Sequence, residues 1–200
     1  VRVDGGDASN AKYCPLSGQT DDFSDPNDVK WSNWQDDGCF ATETGALVFH
    51  LDADTSTGCG YEDLRLRDFT DSSATVEIVQ PPPDATGELI FAVISPERHD
   101  WVVIKVTGEA IEASRVEDDI WQSQPPVPFD ASQHRFLRFR AVSSGVVSYD
   151  TSPDGVRWEG LYATDAPFEL DRVQLLLGGW SYDVGNPSME IAFGNLNILP

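Results

Sequence analysis

Apolar side chains recur at every second position in run after run of this chain, and no other feature constrains its fold as strongly. Leu47, Phe49 and Leu51 alternate with Val48 and His50, and Val76 and Ile78 flank Glu77. In residues 101–106, Val102, Ile104 and Val106 fall on one face, with Trp101, Val103 and Lys105 on the other. Leu137, Phe139 and Ala141 alternate with Arg138 and Arg140, and Val173, Leu175 and Leu177 share a face in the run that ends at Trp180. A period of two marks a half-buried strand. Residues 89–94, Leu-Ile-Phe-Ala-Val-Ile, are apolar on both faces and predict a central strand. Pro81-Pro82-Pro83, Thr107-Gly108-Glu109 and Pro153-Asp154-Gly155 supply turn chemistry between the runs. About a dozen short strands at this spacing predict an all-β chain, a two-sheet antiparallel β-sandwich of the jelly-roll kind.

Residues 109–121 have some helical character, but their apolar positions do not keep to one helical stripe, and one or two strands fit equally well. Residues 1–20 are small and polar and read as a flexible leader, leaving 21–200 as a single sandwich domain. Residues 122–133 are polar and proline-rich and read as a loop crossing one end of the sandwich. Near the C-terminus Met189, Ile191 and Phe193 have one parity and Leu196 and Ile198 the other, which predicts a bulge at Gly194-Asn195.

The 200-residue chain carries 34 acidic against 13 basic side chains, a formal charge of −21. Phosphate recognition needs clustered Lys and Arg, so nucleic acid is excluded as a partner, and anionic membrane surfaces are disfavoured by the same sign. No apolar run is long enough to span a bilayer, and residues 1–20 lack the basic start and apolar stretch of a signal sequence. No membrane insertion is expected. The excess of Asp over Glu, 23 to 11, fits a solvated acidic surface, a salt-adapted source or calcium ligands, in that order.

Cys14, Cys39 and Cys59 lack metal-site spacing and favour a disulfide. Cys39 and Cys59 bracket a short hairpin and a polar loop, a topology able to return them to adjacent positions, so this pair is expected. Cys14 is then free, joined to a partner upstream, or paired with either of the others, and three reduced thiols are the alternative. A disulfide implies a secreted or cell-surface protein.

Several segments in order carry a resemblance: Asp-Asp-Phe-Ser-Asp at 21–25, His-Asp-Trp-Val-Val-Ile-Lys-Val at 99–106, the stretch 125–161 with its Ser-Pro-Asp-Gly-Val-Arg-Trp turn, and the closing runs 172–180 and 192–199. The chain resembles the concanavalin A-like lectin/glucanase superfamily, in particular its bacterial secreted laminin-G-like jelly-roll domains. The resemblance implies two curved sheets with ligands on the concave one or its rim. Glucanase members carry a Glu-x-Asp-x-x-Glu strand that places two carboxyls at hydrolytic spacing, and no such strand occurs here. The chain is therefore expected not to be an enzyme. The resemblance also suggests a structural calcium where the first and last strands meet, with Asp22 and Asn195 as oxygen donors, although Gly194 stands where members often have Asp. No cofactor is otherwise required.

Six tryptophans, at 31, 34, 101, 121, 158 and 180, are many for this length. Sugar rings stack on exposed aromatic faces, and about two of the six are expected in a site. Strand parity turns Trp101 and Trp180 away from the core, which makes them the expected platform, with Tyr182, His99 and Arg138 as polar neighbours. The resulting expectation is a secreted or cell-surface, non-catalytic module that binds a polysaccharide or other glycan. The rivals are an adhesion module contacting a cell-surface protein and a glycoside hydrolase-like domain.

Overall fold

Alternating strands need a layer to bury their apolar face, and here two sheets bury each other. The computed structural model describes residues 13–26, 30–142, 145–182 and 187–199. In chain order the strands are β1 (Trp31–Gln35), β2 (Cys39–Glu43), β3 (Leu47–Leu51), β4 (Thr57–Asp63), β5 (Ser73–Gln80), β6 (Gly87–Ile94), β7 (Trp101–Val106) and β8 (Ala110–Glu117). They continue as β9 (Ile120–Ser123), β10 (Val127–Pro128), β11 (Phe136–Ala141), β12 (Val146–Ser152), β13 (Glu159–Asp165), β14 (Gln174–Ser181) and β15 (Met189–Gly194). The first sheet has the order β1-β4-β14-β6-β7-β8, with β9 and β10 both pairing with β8. The second has the order β13-β12-β11-β5-β15-β3-β2. The strand pairings are antiparallel, and the described residues contain no α-helix, as the all-β jelly-roll expectation required.

The core lies between the sheets and uses the alternating positions read from the sequence. Leu89, Phe91 and Val93 of β6 and Val102, Ile104 and Val106 of β7 face Leu137 and Phe139 of β11 and Ile191 and Phe193 of β15. Phe91 meets Phe139 at 4.8 Å between ring centroids, and Phe139 meets Tyr149 at 5.1 Å. The fully buried Tyr149 donates its hydroxyl to the Ser114 carbonyl at 2.8 Å, which satisfies a polar atom that the core would otherwise strand.

Several local expectations are refined. Residues 109–121 form a hairpin of β8 and β9. Its turn residues Asp118 and Asp119 both have positive φ, at 50° and 63°, as a type I′ turn requires. Residues 122–133 are not one loop, because they hold the end of β9 and all of β10. The C-terminal change of parity comes from Asn195 in the left-handed region, φ 47°, which returns Leu196 to full burial; Ile198 is left 38% exposed. The register irregularity instead lies one step earlier, where β15 passes Val79 of β5. Of the expected leader, residues 1–12 lie outside the described residues. Residues 15–19 are packed: Pro15 bridges Asp68, and Leu16 is fully buried. Leu16, an isolated apolar position in that stretch, anchors it together with hydrogen bonds from Asn197 to the Leu16 and Gln19 carbonyls.

Cys39 and Cys59 form the expected disulfide, with Cα atoms 5.7 Å apart. It does more than staple a hairpin. Cys39 sits in β2 of the second sheet and Cys59 in β4 of the first, so the bond ties the two layers together. Cys14 is exposed and free.

Candidate functional site

The strand registers arrange the outer face of the first sheet in rows that cross the strands. One row reads Trp34, Gly60, Gly178, Ile90, Lys105 and Glu112 from β1 to β8. To one side of it lie Glu62, Leu176, Ala92, Val103, Ser114 and Ser123, and beyond them Ile94, Trp101, Val116 and Trp121. To the other side lie Gly58, Trp180 and Glu88. Five strand-to-strand steps make the face roughly 24 Å across. Ile90, Ala92, Ile94, Val103, Val116 and Leu176 are 0–5% exposed, although the described residues form two sheets and no third layer over this face. A flat outer face leaves alternate residues wet. This face is therefore covered by its own large side chains, and Trp101 and Trp180 pack over its apolar floor.

Glycines explain how two of the indoles lie down. A β-carbon on Gly58 would stand 2.5 Å from the Trp180 ring, one on Gly60 2.8 Å from the Trp34 ring, and one on Gly178 would overlap Trp180. Each indole rests against bare backbone, and the two ring centroids are 4.9 Å apart at 49°. An aromatic ring seated this way leaves its other face for a ligand.

Polar groups converge beside this pair from strands far apart in sequence. The Glu88 side chain is 10% exposed, and its Oε1 is buried with no hydrogen-bond partner. Lys105 Nζ stands 3.8 Å from that oxygen and 3.9 Å from Glu112 Oε1, and 4.2 Å above the Trp121 ring. Tyr182 donates its hydroxyl to Glu88. Ser114 and Ser123 donate to Glu112 Oε1 at 2.9 and 2.7 Å. Burial pushes the Glu88 carboxyl above the usual carboxylate range; Lys105 opposes the shift and Glu112 adds to it. On the far side Arg98 reaches Glu62 at 2.7 Å, and its carbonyl accepts from Trp101 Nε1 at 2.9 Å. That ion pair ties the loop between β6 and β7 to β4 across the sheet.

The raised Glu88 carboxyl has a signed consequence. A carboxyl whose folded pKa is raised contributes stability below its unfolded pKa and loses it as pH rises through the folded one. Glu88→Gln should therefore melt higher than the parent at neutral pH, with a gain that disappears as the pH falls below the ordinary glutamate value of 4.5. Melting curves from about pH 4 to pH 8 check this. A gain independent of pH, or none, counts against the desolvated carboxyl.

The expected site residues divide. Trp101 and Trp180 do share this face, and the half-exposed Tyr182 joins them through Glu88. His99 lies at the rim, with Nδ1 3.1 Å from Asp119 on the turn between β8 and β9. Arg138 is corrected: it projects from β11 of the second sheet, where it pairs with Asp150 at 2.7 Å. Parity had given its side of a strand but not which sheet that strand joined. Trp34, Glu62, Glu88, Lys105, Glu112 and Trp121 were missed. Their signal was the spacing Gly58-Cys59-Gly60 and the glycine pair before Trp180, small residues beneath large rings.

The expected calcium ligands lie on adjoining segments, and each already makes a hydrogen bond within the protein. Asp21 bridges Leu196 through the backbone, yet Asp22 accepts from Ser24, and the Asn195 amide donates to Glu77 at 2.5 Å. Among the described residues no three His, Cys, Asp or Glu side chains converge as metal ligands. Also among them, no helix is long and apolar enough to cross a membrane.

Solved structures share this architecture over nearly the whole chain. The Bacillus licheniformis β-glucanase superposes with a TM-score of 0.66 at 11% identity, over 89% of this chain and 95% of its own. A glycoside hydrolase family 16 endo-glucanase from Bacteroides ovatus gives 0.64 at 8% identity, over 90% and 97%. An immunostimulatory antigen and pseudo β-1,3-glucanase of Mycobacterium tuberculosis gives 0.64 at 11%, over 90% and 95%. The chain has the concanavalin A-like jelly-roll fold. No family model and no curated protein matches the sequence.

The jelly-roll relationship corrects the expectation that the chain is not an enzyme. Structures sharing its fold include glycoside hydrolases, and the argument against catalysis rested on carboxyls spaced along one strand. Here Glu62, Glu88 and Glu112 reach one face from three strands, an arrangement that no single-strand pattern detects.

Proposed function

We propose that the outer face of the first sheet, around Trp34 and Trp180, binds a neutral β-glucan chain. One observation carries the reading: Trp34 and Trp180 rest on a glycine bed beside Glu88, whose buried Oε1 makes no hydrogen bond and has Lys105 Nζ no nearer than 3.8 Å. The indoles offer a surface to the apolar face of a sugar ring, and a ligand hydroxyl supplies the missing donor. The two cations at this face, Arg98 and Lys105, are already held by Glu62, Glu88 and Glu112, so neither is free to receive a uronate or sulfate. A formal charge of −21 repels polyanions further. Proteins sharing the fold are named glucanases, which supports a glucan as the sugar class. The disulfide between the sheets fits a secreted or cell-surface setting.

The test is titration calorimetry with soluble mixed-linkage and β-1,3-linked glucans and with a polyuronate, alongside an assay for new reducing ends. The parent should bind the neutral glucans and not the polyuronate. Trp180→Ala should weaken glucan binding roughly thirtyfold, about 2 kcal/mol, the scale of a buried aromatic contact. Gly178→Ala should weaken it too, by lifting the same indole from its bed without removing it. Unchanged affinity in both variants, or preferential binding of the polyuronate, refutes the proposal.

A further inference from the structure

We propose that the second sheet carries a separate saccharide-binding site centred on Trp158, at the turn that joins β12 to β13. The strongest reason is an open surface depression of about 510 Å³ lined by Gln133, Thr151, Pro153, Arg157, Trp158 and Glu159. That volume falls within the range of small-molecule sites. It belongs to the other layer of the sandwich from the Trp34–Trp180 face, so it is not an extension of that face.

The aromatic group here is held in place by a chain of fixed contacts. The Arg138 guanidinium stands 4.0 Å over the Trp158 ring. Its Nε and Nη2 both donate to Asp150 Oδ2, at 2.9 and 2.7 Å, and the Asp150 side chain is 5% exposed. A buried carboxylate thus pins the cation, and the pinned cation covers one side of the indole. The turn before Trp158 is equally constrained. Asp154 accepts from the Val156 and Arg157 amides at 3.0 and 2.8 Å and from Arg157 Nε at 2.8 Å, while Gly155 takes φ 71°. Those hydrogen bonds hold the Asp154 carboxyl well below the usual carboxylate range. A ring ordered before binding loses little entropy when a ligand arrives.

The lining chemistry selects the ligand class. Around one indole stand an amide that both donates and accepts, a guanidinium already neutralised by Asp154, and an exposed carboxylate at Glu159. Alternating donors and acceptors beside a single aromatic surface match a ring that carries hydroxyls. Only Pro153 and Trp158 are apolar, too little to anchor a peptide side chain in a desolvated pocket. Arg157 is paired with Asp154 and Arg138 with Asp150, so an anionic sugar finds both cations already engaged and the Glu159 carboxylate beside them. Two sites on opposite layers let one molecule bridge two chains, which raises avidity for a polysaccharide surface without any new contact.

The experiment uses the full chain with ¹⁵N-labelled tryptophan and a soluble neutral β-glucan oligosaccharide as the probe. Indole resonances of Trp158 and Trp180, assigned by substitution, are followed through a titration. Both should shift in the parent, with separate saturation curves. Trp158→Ala should abolish one curve and leave Trp180 responding as before, and Trp180→Ala should do the converse. Gln133→Ala, an exposed change that leaves the turn intact, should weaken the Trp158 curve alone by about tenfold, a loss of about 1.4 kcal/mol. A Trp158 resonance that stays still while Trp180 shifts overturns this site and leaves the first standing. A response at Trp158 alone overturns the first and retains the second, and silence at both overturns both.

Discussion

Arg67→Met should destabilise the protein by about 3–5 kcal/mol, the largest loss expected from a single substitution here. Arg67 is 6% exposed and donates from Nε to Asp63 Oδ2 at 2.7 Å, while Asp63 is completely buried. The second guanidinium nitrogen donates to Gln19 Oε1, also buried. One side chain thus joins β4 to the packed segment before β1, and its backbone bridges Val173 just ahead of β14. Methionine fills similar space but leaves the Asp63 carboxylate in the interior without its cation. For a chain of this size the loss should lower the melting temperature by roughly 6–20 °C. Replacing both partners, Asp63→Leu with Arg67→Met, should recover most of it, because an apolar pair leaves no charge stranded. Differential scanning calorimetry on the single and double variants decides the matter, and a single variant melting within about one degree of the parent contradicts it.

The second large effect concerns the bond between the layers. Replacing Cys39 and Cys59 together by alanine should remove about 3 kcal/mol, the loop-closure value for partners 20 residues apart. The melting temperature should fall by about 6–12 °C. Both cysteines are almost wholly buried, so alanine adds a small packing loss but strands no polar group. The parent under reducing conditions should approach the variant's transition, and the variant itself should not respond to reductant. A parent transition indifferent to reductant, with the variant equally stable, excludes a stabilising role.

Both effects arise where the chain joins parts that lie far apart in sequence, and the sequence reading was weakest there. The Cys39–Cys59 pairing was legible because only three cysteines compete and the intervening segment turns back. That the bond crosses between sheets was not, since strand partners are chosen by long-range packing. Leu16 and Gln19 lie in a stretch whose composition is that of a leader. Their burial depends on a gap beside Arg67 and Phe69 that exists only once the sandwich has closed.

Within each strand the sequence determined a good deal. The inward sets Leu47, Phe49 and Leu51, Val102, Ile104 and Val106, and Leu137, Phe139 and Ala141 are buried as their period of two predicts, because neighbouring side chains on an extended backbone must point to opposite faces. The same rule turned Trp101, Trp180 and Arg138 outward. Only the tertiary structure decided that the first two share one sheet face while Arg138 serves the opposite layer, since facing is a property of one strand and sheet membership a property of the whole fold. The order β4-β14-β6 sets Trp180 over Gly58 and next to Glu88, residues separated by about 90 to 120 positions along the chain. No local pattern encodes that meeting. It follows from hydrogen bonding between strands that are not consecutive, and from the indoles that cover the apolar floor beneath them.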